Sequence, residues 1–124
     1  MNTNKNILDP TDRTVTSTSD TEFRPYGRYG APNPTMDWLP LSGDANKGYE
    51  SFVLRMKPGS ESTPHVHTGG EEFYLLDGEM TDCDGAVFKT GDFVSYKPGS
   101  RHFSATEKGC TLLVILHGEN KRVE

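Results

Sequence analysis

A chain of 124 residues has room for one domain; divided in two, neither half would enclose a core of its own. Acidic residues outnumber basic ones 18 to 13, a net charge of −5 with no Lys/Arg cluster, which argues against nucleic acid and anionic membrane surfaces as partners. Hydrophobic residues make up only 32% of the chain, so the core is thin, and a bound metal or burial in a homodimer is the expected supplement.

Residues 1–21 are rich in Thr, Ser, Asp and Asn, with Val15 almost alone as an apolar side chain. Such a segment buries too little to offset its ordering entropy and reads as a flexible N-terminal arm; an edge strand exchanged with a second subunit is the competing reading. Its opening, MNTNKNILDPTD, lacks the apolar centre of a signal peptide, and no apolar run in the chain is long enough to cross a bilayer. A cytoplasmic location is the default expectation. Residues 22–124 form the single folded domain. Pro25, Pro32, Pro34 and Pro40 predict a loop over 22–40 that wraps around the body, with Trp38, Leu39 and Leu41 covering one end of it.

From residue 48 onward the pattern is strand and turn. Ser51–Met56 alternates, with Phe52, Leu54 and Met56 on one face and Ser51, Val53 and Arg55 on the other. Lys57-Pro58-Gly59-Ser60 is a turn. Glu72–Leu76 is a strand closed by Asp77-Gly78. Glu79–Asp82 and Ala86–Lys89 flank a hairpin at Cys83-Asp84-Gly85. Asp92–Tyr96, His102–Ala105 and Thr111–His117 complete the set. No stretch keeps a helical period, so the fold class is all-β, an antiparallel sandwich or barrel. Cys83 and Cys110 form no CxxC pair; in a reducing compartment they read as ordinary thiols, with a Cys83–Cys110 disulfide as the alternative.

Three of the four histidines and a carboxylate fall in two turn-bounded segments. His65 and His67 are two apart, so in extended backbone both imidazoles project from one face while Val66 points the other way. Thr68-Gly69-Gly70 permits a reversal that returns Glu71 toward the same point, and Glu71 shares parity with Phe73 and Leu75. His102 follows the turn Lys97-Pro98-Gly99-Ser100. Three imidazoles and a carboxylate converging inside a barrel are costly unpaired, and a divalent transition metal resolves this. His117 fits no such pattern and reads as a surface or packing residue. Phe52, Met56, Phe73, Tyr74 and Tyr96 read as core with one or two at a pocket mouth. Arg55 reads as solvated on an outer face or paired at a dimer interface, with a substrate carboxylate as a lesser alternative, and Glu72, Asp82 and Asp84 read as solvated hairpin charges.

These segments resemble the two motifs of the cupin superfamily, G(X)5HXH(X)3,4E(X)6G and G(X)5PXG(X)2H(X)3N. The first matches at every fixed position from Gly59 to Gly78. In the second, Lys97 stands where proline is expected, Pro98 follows one place late, and Thr106 replaces the final Asn. The resemblance implies an RmlC-like antiparallel double-stranded β-helix, or jelly-roll barrel. It also implies one metal ion, iron, zinc, manganese or nickel, held by His65, His67, Glu71 and His102, with Glu72 as the alternative carboxylate. The stretch from residue 38 to 116 is further similar to the cupin domains of ChrR-type anti-sigma factors, although the cysteine-containing helical domain that holds a sigma factor has no counterpart. Four protein ligands saturate tetrahedral zinc but leave two positions open on an octahedral ion. The resemblance therefore implies a metal-dependent oxidoreductase, a dioxygenase acting on a small diketone or aromatic ketone. A non-catalytic metal or ligand sensor is the second reading and a sugar isomerase or epimerase a weaker third. In each case the partner is a small-molecule ligand or substrate, and a homodimer is expected.

Overall fold

The computed structural model describes residues 7–123 and builds them from antiparallel strands and Gly/Pro turns. In chain order the strands are β1 (Arg24–Tyr26), β2 (Asn33–Asp44), β3 (Tyr49–Met56), β4 (His65–His67), β5 (Glu71–Asp82), β6 (Val87–Lys89), β7 (Phe93–Tyr96), β8 (Arg101–His102), β9 (Ser104–Ala105), β10 (Cys110–Leu116) and β11 (Asn120–Arg122). The larger sheet runs β1-β2-β3-β10-β5-β6, with β7 and β9 also pairing with β5; the smaller runs β11-β4-β8. The larger sheet curls, and a cavity lies between the two. The class is the all-β one that the turn spacing predicts, and the architecture is the jelly-roll barrel that the motif resemblance implies.

Alternation decides which side chains enter the barrel. On β10, Cys110, Leu112, Val114 and Leu116 are buried, and they meet Phe52, Leu54 and Met56 of β3 and Phe73 and Leu75 of β5 in one core cluster. Both faces of β10 are apolar, because Leu113 and Ile115 point outward. The pairing registers align Leu39, Val53, Leu113, Tyr74 and Phe93 in one row across the outer face of five strands. Leu39 and Val53 in that row are buried, whereas Tyr74 and Phe93 are exposed.

Three elements differ from the sequence expectation. Residues 22–40 are not a loop: β1 and most of β2 lie there, and β2 pairs with β3 from Met36 to Asp44. The prolines sit where a missing N–H is tolerated. Pro25 is on the edge strand β1, and at Pro40 the register slips before Ser42, leaving Leu41 as a bulge residue. Trp38 is part of the barrel wall, edge-on to Tyr26 and Phe52 at 5.1 and 5.3 Å between ring centroids. Second, Asp77-Gly78 does not end a strand. It follows a bulge at Leu76 within the continuous β5, and there Gly78 takes φ +91° and a Cβ would lie 2.3 Å from the Gly109 carbonyl oxygen. Third, β11 was not anticipated.

Residues 7–22 are exposed and contain a single 3₁₀ turn, Pro10–Asp12, capped by Asp9; the first six residues of the expected arm lie outside the described residues. Cys83 is exposed and Cys110 buried, and both thiols are free. Among the described residues no helix is long and apolar enough to cross a membrane.

Candidate metal centre

Strand β4 lies between β8 and β11 in the smaller sheet. Its two-residue repeat turns both imidazoles inward, leaving His65 6% and His67 0% exposed. Direct pairing of His65 with His102 in the β4–β8 register brings the third imidazole alongside. The Thr68-Gly69-Gly70 reversal then delivers Glu71 as the first residue of β5. Gly70 has φ +91°, and a Cβ on Gly69 would lie 2.3 Å from the His117 carbonyl oxygen, so this reversal needs both glycines.

His65, His67, Glu71 and His102 offer donor atoms that all lie within 4.8 Å of one another. Glu71 Oε2 is 2.6 Å from His67 Nε2, 3.7 Å from His102 Nε2 and 3.8 Å from His65 Nε2. The Nε2 atoms of His65 and His102 are 3.2 Å apart. Donors about 2.1 Å from a shared ion are separated by about 3.0 Å in octahedral and about 3.4 Å in tetrahedral geometry, so the spacing suits a first-row metal.

The opposite ring nitrogens fix which atoms are free. His65 Nδ1 is 2.6 Å from the Thr63 carbonyl oxygen and His102 Nδ1 is 2.8 Å from Asp82 Oδ1; both oxygens only accept, so both Nδ1 atoms carry the proton. His67 Nδ1 is paired with Ser100 Oγ at 2.9 Å. On His65 and His102 this leaves the Nε2 lone pair for the centre, the arrangement a metal-binding histidine requires, while Ser100 can serve His67 in either role. His67 Nε2 has no hydrogen-bond partner despite its short approach to Glu71. Lone pairs facing one another and a buried carboxylate form a donor set that calls for a cation.

The titration behaviour follows from the same contacts. Burial opposes charge on Glu71, but the adjoining imidazoles of His102, His65 and His67 outweigh it and hold the carboxyl well below its ordinary value. For His102, burial disfavours the imidazolium, yet Glu71 and Asp82 together raise its pKa above the usual value. Asp82 loses to burial but gains more from the Tyr96 hydroxyl, which donates to Oδ2 at 2.5 Å, and from His102, so its pKa is lowered. Tyr96 is pushed up by burial and by this bond, and its ring lies 4.4 Å from that of His102 and 5.0 Å from that of His67.

The four residues that the motifs single out meet at one point, and Glu72 lies outside it, where it accepts from His117 Nε2 at 2.7 Å. Arg55 also lies outside, over the Phe23 ring at 3.7 Å. Asp82 is the correction: it is not a solvated hairpin charge but the anchor of His102. The bulge at Leu76 accounts for this, since the inward residues are Glu71, Phe73 and Leu75 before it and Met80 and Asp82 after it. Thr106 occupies the place of the missing Asn and ties the β9–β10 turn to β5, donating to the Glu79 carbonyl oxygen at 2.6 Å and accepting from the Gly109 N–H at 2.9 Å.

The centre opens on a cavity of about 600 Å³, to which His65, Glu71 and His102 contribute. Its walls are apolar side chains of the larger sheet, among them Met36, Leu54, Phe73 and Val114. Its far side is the strap between β1 and β2, residues 27–32, which sequence reasoning passed over. The signal was there in the run Tyr26-Gly27-Arg28-Tyr29-Gly30, unusually dense in aromatic and guanidinium groups for a loop.

A family model described as the ChrR cupin-like domain matches residues 11–119. The chain belongs to the ChrR cupin-like family. No curated protein sequence matches this cupin. Among solved structures it is similar to an RmlC-like cupin of Ralstonia eutropha JMP134, at 20% identity and TM-score 0.77 over 90% of this chain and 72% of that one. A candidate acetylacetone dioxygenase of Methylibium petroleiphilum PM1 aligns at 16% identity and TM-score 0.79, over 90% and 81% of the two chains. An acetylacetone dioxygenase of Acinetobacter johnsonii aligns at 16% and 0.75, over 90% and 78%. At these identities the likeness establishes the cupin fold.

Proposed function

We propose that this cupin holds one divalent transition metal through His65, His67, Glu71 and His102 and is a metal-dependent, dioxygenase-like enzyme acting on a small diketone or aromatic ketone. The observation that carries the reading is the cavity of about 600 Å³ that opens directly onto the four donors, because a purely structural metal site is closed. Bound there, iron, manganese or nickel would supply a Lewis acid with two open positions for an oxygen chelate. The residues do the rest. Asp82, Ser100 and the Thr63 carbonyl hold the three rings, and Met36, Leu54, Phe73 and Val114 present an apolar wall to the body of a ligand. Burial pushes Tyr26 up to about 12, so its phenol, which lines the same cavity, is neutral. Two solved structures of similar fold are named as a candidate and an assigned acetylacetone dioxygenase, which supports the reading by analogy of fold.

The family itself favours a second reading, a non-catalytic metal- or ligand-sensing domain. Anaerobic loading with ferrous iron, followed by oxygen uptake with pentane-2,4-dione and with dihydroxyacetophenone, separates the two. Uptake that disappears in His65→Ala and His102→Ala, together with loss of the metal-induced rise in Tm, is expected for the enzyme. Tight metal binding without uptake on any diketone would favour the sensor. Variants that keep full metal occupancy and an unchanged Tm would remove the assigned centre altogether.

A further inference from the structure

Strand β10, Cys110–Leu116, reads CTLLVIL, and such an uninterrupted apolar run is the pattern of a strand buried on both faces. The single chain covers only one of them. Leu112, Val114 and Leu116 lie in the core, whereas Leu113 and Ile115 face outward and are half-buried. The outward side chains continue across the sheet. The row Leu39, Val53, Leu113, Tyr74 and Phe93 crosses five strands without a charged member, and it opens to solvent along its length, from buried Leu39 and Val53 to Tyr74 at 41% and Phe93 at 57% exposure. Leu76, the bulge residue of β5, adds a further exposed side chain beside it. None of these residues lines the cavity, so the face is not an approach to the metal centre.

Polar rows bound the apolar one. On one side Asp37, Arg55, Thr111 and Asp77 stand in register, and on the other Ser42, Ser51, Ile115, Glu72 and Ser95. An apolar centre inside a polar rim is the anatomy of a protein–protein interface. Arg55 sits between two carboxylates in its row, so the rim carries both signs of charge and selects neither a polycation nor a polyanion. The area fits a partner of ordinary size. Strands about 4.8 Å apart and rows about 6.8 Å apart give a patch of about 24 by 20 Å, on the order of 700 Å² of accessible surface with side-chain relief, against about 800 Å² per partner in a stable complex. A flat apolar row also fits its own kind: sheets pack face to face about 10 Å apart with interdigitating side chains, and a two-fold axis in the plane of contact presents the row to itself.

We propose that a second copy of this chain seats face to face on this row, forming an isologous dimer centred on Leu113, Tyr74, Leu76 and Phe93 of each copy. The contact lies on the outside of the wall whose inner side chains, Phe52, Phe73 and Val114 among them, line the cavity, and none of the four candidate metal ligands is on it. It therefore buries the second face of β10 and supplements the thin core without involving the metal centre. Dimerisation stands or falls separately from the reading of that centre.

Sedimentation velocity of the full chain between about 1 and 100 µM tests this, with a species of twice the monomer mass expected at the upper end of the range and no change on adding EDTA. Phe93→Glu and Tyr74→Glu each place a carboxylate where the single chain is open to solvent, so the monomer stays folded, which far-UV circular dichroism checks. Each should weaken dimerisation about a hundredfold or more, because a two-fold axis counts every substitution twice. Phe93→Ser introduces no charge and should weaken it about tenfold, which keeps the test open if either acid disturbs the fold. Val87→Glu removes a comparably exposed apolar side chain from β6, which pairs with β5 at residues 79–81, beyond the row, and it should alter the dimer constant less than about twofold. A monomer throughout the range would overturn the proposal and leave the face to a different protein or to none. A dimer that the Phe93 and Tyr74 variants do not weaken, one that Val87→Glu weakens as much, one that EDTA dissociates, or an assembly that grows beyond two copies would overturn it equally.

Discussion

Replacing Asp82 by Asn tests whether the centre depends on residues that never touch the ion. Asp82 Oδ1 accepts from His102 Nδ1 at 2.8 Å and Oδ2 accepts from the Tyr96 hydroxyl at 2.5 Å, so one carboxylate fixes the tautomer and tilt of a candidate ligand while being braced from behind. The amide keeps the shape but not the charge, and a charge-assisted hydrogen bond is roughly twice as strong as a neutral one. Its NH2 group also faces the Tyr96 hydroxyl, which must reverse its role or leave. Loss of such an outer partner typically lowers metal affinity about 10- to 100-fold, or about 1.4 to 2.7 kcal/mol. Proton competition acts in the opposite direction, because Asp82 is one of the carboxylates raising the His102 pKa and its loss lets that pKa fall. Affinity is therefore best compared at pH 8 by competition against a chromophoric chelator, with Tyr96→Phe expected to lose less than about threefold. Asp82→Asn within twofold of wild type, or Tyr96→Phe as the weaker binder of the two, would refute the claim that Asp82 anchors His102.

Gly78→Ala puts a Cβ 2.3 Å from the Gly109 carbonyl oxygen and 2.8 Å from Cys110 Cα at a backbone φ of +91°; a loss of about 2–4 kcal/mol in urea unfolding is expected, and a loss under about 1 kcal/mol would show that the bulge is not constrained there. Burial pushes the Cys110 thiol up to about 11, so at pH 8 it is protonated as well as buried, whereas Cys83 is exposed. Iodoacetamide at pH 8 should modify one thiol per native chain, at Cys83, and two in denaturant; rapid labelling of Cys110 in the native protein would contradict its placement in the core.

Much of the centre was legible because its logic is local. The spacing of His65 and His67 is the strand period itself, and Glu71 shares parity with Phe73 and Leu75, so a strand reading alone aims them inward. His102 needed the superfamily resemblance, because its pairing with His65 spans 37 residues and no local pattern encodes that. What escaped did so for identifiable reasons. The prolines of β2 are strand breakers by propensity, and only an edge neighbour and a bulge make them tolerable. Asp82 was lost to a single extra residue, Leu76, which inverts the inward parity beyond it. β11 is three polar residues, Asn120–Arg122, and it is a strand only because β4 offers it a free edge. Arg28 and Tyr29 carry no periodicity, and their importance lies in what the strap covers.

The position of β4 in the topology bears on when the centre comes into being. In the large sheet β2 pairs with its neighbours in sequence, whereas β10 pairs with β3 across at least the 54 residues from Met56 to Cys110. Strand β4, with two of the four donors, has partners only downstream, at residues 101–102 and 120–122. Loop-closure entropy grows with such separations, and the 37 residues between His65 and His102 are fewer than those that close β3 on β10. A growing chain therefore holds all four donors as soon as residue 102 is made, before the core strand β10 exists.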